Sequence, residues 1–195
     1  MIGITGNIAV GKSRVRQMLA AMGADAIDAD QIAHQVMMPG EPVWQAVIET
    51  FGREIVGADG QIQRAALGKI VFSDPAALKR LEAITHPAIR QRIDQLVRSS
   101  DKDIIVIEAI KLLEGDLKDA VDSVWVVDAA PQTQHRRLTA ARGLSDADAR
   151  QRIGAQNRQA DKIRQADVII QNDGGIEDTL KQVQYQWSQI HKGRA

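Results

Sequence analysis

Apolar residues follow two rhythms along this chain. Short unbroken runs mark strands at Met1–Thr5, Asp103–Ile107, Ser123–Asp128 and Asp167–Ile170, with a weaker run at Ala24–Asp28. Runs of this length without polar alternation suit strands buried on both faces. Elsewhere apolar positions recur every three or four residues, the spacing of an amphipathic helix. Val15, Met18, Leu19 and Met22 give one face of a helix over Ser13–Met22 that stops at Gly23. A second helix over Asp30–Met38 ends at Pro39-Gly40. From Pro42 to Ser99 the chain is helix-rich, with a turn at Asp59-Gly60. Val43, Val47, Ile48 and Phe51 repeat at helical spacing there, as do Leu78, Leu81, Ile84, Ile89, Ile93 and Leu96. Further helices are expected over Pro131–Arg142, Asp146–Arg158 and Ile176–Ile190. Buried strands alternating with helices predict an α/β fold around a parallel sheet.

Between the first strand and the first helix stands Gly6-Asn7-Ile8-Ala9-Val10-Gly11-Lys12-Ser13, a complete G-x-x-x-x-G-K-[ST] match. A loop that wraps phosphates with its backbone N–H groups needs glycines where the backbone approaches closely. The following helix points its positive end at the same phosphates. In this pattern Lys12 reaches the β- and γ-phosphates, and the Ser13 hydroxyl ligates Mg²⁺. The strand–loop–helix context makes a chance match improbable. The loop specifies a nucleoside triphosphate without separating kinase, GTPase and ATPase. No Asn-Lys-x-Asp occurs, and Asn172-Asp173-Gly174 lacks the lysine of that guanine-selecting motif.

Composition narrows the field further. Lys+Arg and Asp+Glu balance at 25 each, without the basic excess of a bulk nucleic-acid binder. Aromatic residues are only 3%, too few for base-stacking platforms. No cysteine is present, so disulfides and thiolate chemistry are excluded. A chain of 195 residues buries a sufficient core without them. No apolar run approaches the roughly 18–20 residues of a membrane span. The N-terminus has no basic n-region or cleavage site, so a cytoplasmic protein without nucleic-acid or membrane partners is expected.

Several polar positions suit phosphoryl transfer, each with a plainer alternative. Asp28 and Asp30 follow the second strand, where ligands bind outside strand ends. One could accept a proton from an acceptor hydroxyl and the other hold Mg²⁺ through water. Equally, Asp28 could end the strand while Asp30 caps the next helix. His86 could bind a phosphate or hydroxyl, or Pro87 could simply open a helix. Glu108 ends a strand and Glu114 follows six residues later; either could serve Mg²⁺ through water, and Glu114 is the better candidate for a solvated surface acid. Eight basic residues fall between Arg136 and Arg164. Most are expected to form a solvated face paired with Asp146, Asp148 and Asp161. Arg137 and Arg142 stand apart as candidates to neutralise transferring phosphate oxygens from a mobile lid.

The order of these motifs resembles the dephospho-coenzyme A kinase family over essentially the whole chain. After the phosphate loop come Ile27-Asp28-Ala29-Asp30, the stretch from Ala29 through His34 into Pro39-Gly40, and Thr85-His86-Pro87-Ala88-Ile89. Arg137 to Ser145, Arg152-Ile153-Gly154-Ala155-Gln156 and Ala166 to Asn172 complete the series. The resemblance implies ATP-dependent phosphorylation of the 3′-hydroxyl of dephospho-coenzyme A, giving coenzyme A and ADP. It implies Asp30 at the acceptor hydroxyl, Lys12, Ser13 and the loop backbone on ATP and Mg²⁺, and Arg142 with Arg137 on phosphates. Asn172 falls on the nucleotide side; Asp28, His34, His86 and Glu108 fall on the substrate side. The implied fold is a five-stranded parallel core (1–38, 99–135 and 165–195), a helical substrate-binding part (39–98) and a lid (136–164), in a monomer or small homo-oligomer. The chain departs from the family pattern in several places: Asn7 and Ala9 stand where the family has glycines, Arg14 where it has a small Thr, Glu108 replaces an Asp, the Pro two residues later is lost, Lys111 is new, and Asp161-Lys162 replaces a Glu-Lys pair. The altered Glu108–Glu114 stretch keeps two alternatives open, a kinase of another small acceptor such as a nucleoside or nucleotide, and a non-catalytic nucleotide-binding regulator.

Overall fold

Five strands form one parallel sheet: β1 (Ile2–Thr5), β2 (Asp25–Asp28), β3 (Ile105–Glu108), β4 (Ser123–Asp128) and β5 (Val168–Gln171). Their order is β2-β3-β1-β4-β5, so the strand feeding the phosphate loop lies at the centre. The structure is a computed structural model that describes residues 1–192, apart from the side chains of residues 142, 191 and 192. Nine α-helices appear among the described residues: α1 (Lys12–Ala21), α2 (Ala29–Gln35), α3 (Pro42–Phe51), α4 (Arg64–Ser73), α5 (Pro75–Ser99), α6 (Pro131–Arg142), α7 (Asp146–Gly154), α8 (Gln159–Ile163) and α9 (Ile176–Lys192).

The chain divides into two compact units, Met1–Asp28 with Ser100–Ala195, and Ala29–Ser99. In the first, the unbroken apolar runs are buried as their pattern demands. Ile4, Val106, Ile107, Val126 and Val127 have no exposed surface. The α1 face made by Val15, Met18 and Leu19 joins Ile2, Ile4, Trp125 and Val183 in one core cluster, with Met22 partly buried against it. β3 begins two residues later than the expected Asp103–Ile107 and ends on Glu108, because Asp103 is solvent-exposed whereas Glu108 is buried. The helix expected over Asp146–Arg158 stops early, as α7, at Gly154; the residues after it turn toward the phosphate loop before α8 begins at Gln159. β5 is an edge strand. The Gln182 side chain, from α9, accepts from the Gln171 N–H and donates to the Gln171 carbonyl, both at 2.9 Å.

The second unit contains α2 to α5, so α2 falls here although the expected core ran to residue 38. Helices α2, α3 and α4 each pack on α5. Val43, Val47, Ile48 and Phe51 are buried as their spacing predicts. Pro87 does not open a helix: α5 runs from Pro75 through it. The start lies at Pro75, where the Asp74 carboxylate accepts from the Ala76 N–H at 2.8 Å. A proline at a first helical position costs nothing, and Pro87 merely loses one bond inside a long packed helix. Asp30 likewise is not a cap but lies inside the first turn of α2. No helix among the described residues is long and apolar enough to cross a membrane.

Candidate active site

The phosphate loop leaves the central strand through two glycines with positive φ. A Cβ on Gly6 (φ 145°) would meet the Val127 carbonyl oxygen at 2.4 Å, and one on Gly11 (φ 100°) would meet the Asn172 amide nitrogen at 2.0 Å. Both positions therefore exclude any side chain. Ala9 also has positive φ, at 60°, in the left-handed region where an alanine is strained.

The loop is fastened from three directions. The Asn7 and Ile8 N–H groups donate to the side chains of Gln159 (2.9 Å) and Gln156 (2.6 Å), and the Asn7 side chain donates to the Asn157 carbonyl at 3.1 Å. Arg137 donates to the carbonyls of Ala9 and Val10 at 3.1 and 3.0 Å, and Asn172 donates to Val10 at 2.7 Å. Lys12 is only 7% exposed, and its Nζ donates to the Asn7 carbonyl at 3.1 Å. A buried ammonium needs such partners. The lysine is thus already folded over the loop it serves.

A cavity of about 450 Å³ opens beside this loop. Ala9, Gly11, Lys12, Ser13 and Arg14 form its phosphate side, and Arg137, Asn172, Gly174 and Ile176 its other wall. Asn172 is buried, and its side-chain oxygen accepts from the Thr179 hydroxyl at 2.9 Å. Burial pushes the Arg137 pKa down, the neighbouring Asp173 carboxylate pulls it up, and Arg136 and Arg14 add to the lowering.

An acidic corner completes the loop's far side. Asp28 and Glu108 are register partners at the ends of β2 and β3. Glu108 is 4% exposed and accepts from the Ser13 hydroxyl at 2.9 Å. Arg16 donates to Glu108 at 2.6 Å and to Asp28 at 3.2 Å.

The sequence candidates thus fall into two groups. Of the loop candidates Gly6 to Ser13, Ala9, Gly11, Lys12 and Ser13 line one cavity together with Arg137 and Asn172, while Asp28 and Glu108 stand side by side at the strand ends. Asp30, His34 and His86 are exposed residues of the second unit, on α2 and α5. The Arg142 side chain lies outside the described residues; its backbone ends α6. Glu114 is exposed and accepts from Asn157 at 2.9 Å. Arg150 pairs with Asp146, and Arg164 with Asp161, as a solvated basic face requires. Lys162 departs from that expectation: it is 4% exposed and donates to the Ile110 carbonyl at 2.6 Å. Sequence reasoning missed Arg16, Gln156 and Gln159 as site residues. Arg16 stands one helical turn after Ser13, which places both side chains over one face. Gln156 closes the Arg-Ile-x-Ala-Gln stretch already singled out.

A parallel sheet in this order, with a G-x-x-x-x-G-K-S loop leading from its central strand into a helix that carries a buried lysine, is the fold of the P-loop kinases. The Dephospho-CoA kinase family profile matches residues 1–178, and the chain belongs to that family. A dephospho-CoA kinase of Symbiobacterium thermophilum is 44% identical over 190 residues, covering 96% of this chain and 80% of that relative. Among solved structures, a Thermus thermophilus protein, TT1252, superposes with a TM-score of 0.84 at 30% identity, covering 95% of this chain and 94% of its own. Dephospho-CoA kinase from Campylobacter jejuni gives 0.69 at 27% identity, covering 100% and 98%.

Proposed function

We propose that the chain transfers the γ-phosphoryl group of ATP to the 3′-hydroxyl of dephospho-coenzyme A, producing coenzyme A and ADP. The observation that carries this reading is the phosphate loop folded around a buried Lys12 beside a cavity, in a chain of this family. The reaction is direct in-line transfer, with catalysis from positioning and charge stabilisation. Lys12 and the N-terminus of α1 hold the β- and γ-phosphates. Arg137, and Arg142 from a lid over residues 136–164, neutralise charge on the transferring oxygens. Asp30 orients the acceptor hydroxyl and takes its proton. Asp28, His34, His86 and Glu108 serve the acceptor side, His86 from a substrate-binding part over 39–98. Asn172 shapes the nucleotide wall.

Mg²⁺ fits the residues present. Ser13 and Glu108 offer hard oxygen donors within 2.9 Å of one another. Among the described residues no group of three His, Cys, Asp or Glu gathers to hold a metal. Ser13 would ligate it and Glu108 would hold its water. Bound there, it supplies charge neutralisation across the phosphates. The chain acts in the cytoplasm, as a monomer or small homo-oligomer.

The altered Glu108–Glu114 stretch favours one second reading, a kinase of another small acceptor. A coupled ADP-release assay with ATP and Mg²⁺ compares dephospho-coenzyme A with a panel of nucleosides and nucleotides. ADP release with dephospho-coenzyme A alone is expected. Turnover with another acceptor instead establishes the second reading, and ATP binding without any turnover leaves a non-catalytic regulator.

A further inference from the structure

Two carboxylates at neighbouring strand ends repel each other, and burial raises that cost. Here Asp28 and Glu108 face this problem directly, as adjacent register partners with side chains 22% and 5% exposed. A divalent cation is one solution. The protein carries another: Arg16 donates its Nε–H to one Glu108 oxygen at 2.6 Å and a terminal N–H to Asp28 at 3.2 Å. The second Glu108 oxygen takes the Ser13 hydroxyl at 2.9 Å. Glu108 carries one methylene more than the Asp of the family pattern, and Arg16 meets that extra reach.

We propose that Arg16 is a positioning residue: its guanidinium stands in place of a divalent cation between Glu108 and Asp28 in the nucleotide-free protein and, through Glu108, aims the Ser13 hydroxyl at the phosphate cavity. A hydroxyl that donates its proton to Glu108 keeps its lone pairs for other partners. Ser13 lines the cavity, so those lone pairs are available to a ligand there. Because the guanidinium is permanently charged and donates along fixed directions, it serves both carboxylates at once; a lysine ammonium on the same helix is a point charge without that fork. The carboxylates are neutralised before any ion arrives, so metal binding is reserved for the nucleotide complex. This inference rests on the Mg²⁺·ATP reading given above.

The test titrates Mn²⁺ into the nucleotide-free wild type, Arg16→Gln and Arg16→Lys, and follows free Mn²⁺ by electron paramagnetic resonance. Arg16→Gln is expected to bind one Mn²⁺ at least about tenfold tighter than wild type, since an adjacent cation has been removed from two carboxylates. Arg16→Lys keeps the charge and stays near wild type in this titration. Its KM for Mg·ATP is expected to rise about tenfold with kcat much less changed, the usual scale for losing an outer partner of a metal ligand. Equal Mn²⁺ affinity in Arg16→Gln and wild type, or wild-type kinetics in Arg16→Lys, overturns the proposal. If Arg16→Gln folds poorly alone, its melting temperature decides: a rise with Mn²⁺ that wild type lacks supports the role, and no rise overturns it. The Mn²⁺ measurements need no acceptor, so a wrong acceptor assignment leaves them interpretable.

Discussion

Ala9 offers a direct test of how the phosphate loop is held. Its φ of 60° places an L-residue in the left-handed region, which costs about 1–2 kcal/mol. The strain persists because the neighbouring carbonyls are pinned, by Arg137 at 3.1 and 3.0 Å and by Asn172 at 2.7 Å. Replacing Ala9 by glycine, which the family pattern carries here, removes the steric cost. Glycine also frees the unfolded chain, which takes back about 0.4–1 kcal/mol. The net expectation for Ala9→Gly is a gain of about 0.5–1 kcal/mol. At this chain length about 1 kcal/mol moves the melting temperature by roughly 2–4 °C, so Tm should rise by about 1–4 °C. The matched control is Ala20→Gly, at an exposed helical position in α1 of the same unit. There glycine has no strain to relieve and costs about 0.5–1 kcal/mol, so Tm should fall by a similar amount. Thermal unfolding followed by circular dichroism separates the two signs. A fall in Tm for Ala9→Gly of the same size as for Ala20→Gly would refute the claim that this position is strained.

The other expectations concern the groups around the cavity. Lys12→Ala and Asp30→Asn should each lower turnover by about 10²-fold or more while leaving the circular dichroism spectrum unchanged; near-wild-type rates in a folded Asp30→Asn remove it from the proton-accepting role. Asn172→Ala removes one of two donors to the Val10 carbonyl and one of two acceptors of the Thr179 hydroxyl, and should cost about 1–2 kcal/mol in denaturant unfolding while raising KM for ATP. Gln159→Ala removes the acceptor of the Asn7 N–H and should cost about 1 kcal/mol, with a weaker ATP affinity by calorimetry; unchanged affinity would make the contact structural only.

How far the sequence foretold this arrangement depends on how local each signal was. The run Ile2–Thr5, the loop and the start of α1 are one continuous segment, so a motif with its flanking periodicity located them within a residue. Glu108 was recognisable as an acid at a strand end, but not as a buried one. Its burial depends on Arg16, 92 residues earlier, and no periodicity links the two. The early end of α7 at Gly154 was hidden for a similar reason. Gln156, Asn157 and Gln159 continue a polar helical surface by composition, yet their side chains and backbone are committed to the phosphate loop. Pro87 misled in the opposite direction, since a local preference for helix starts yielded to the packing of α5 against three other helices. Lys162 looked like one more solvated cation, and only the fold supplies the Ile110 carbonyl that lets it be buried.

The paired bonds between Gln182 and Gln171 bear on how the protein behaves in a crowd. β5 borders the sheet, and a bordering strand displays backbone groups that can template growth by a stray chain. At Gln171 both backbone groups already face a glutamine amide that imitates a sixth strand for one residue. A colliding strand must displace that imitation before it can add. At this position the edge of β5 is thus closed by a single side chain rather than by charge or proline, and Gln182→Ala should reopen it, seen as faster aggregation on heating with the native fold unaltered.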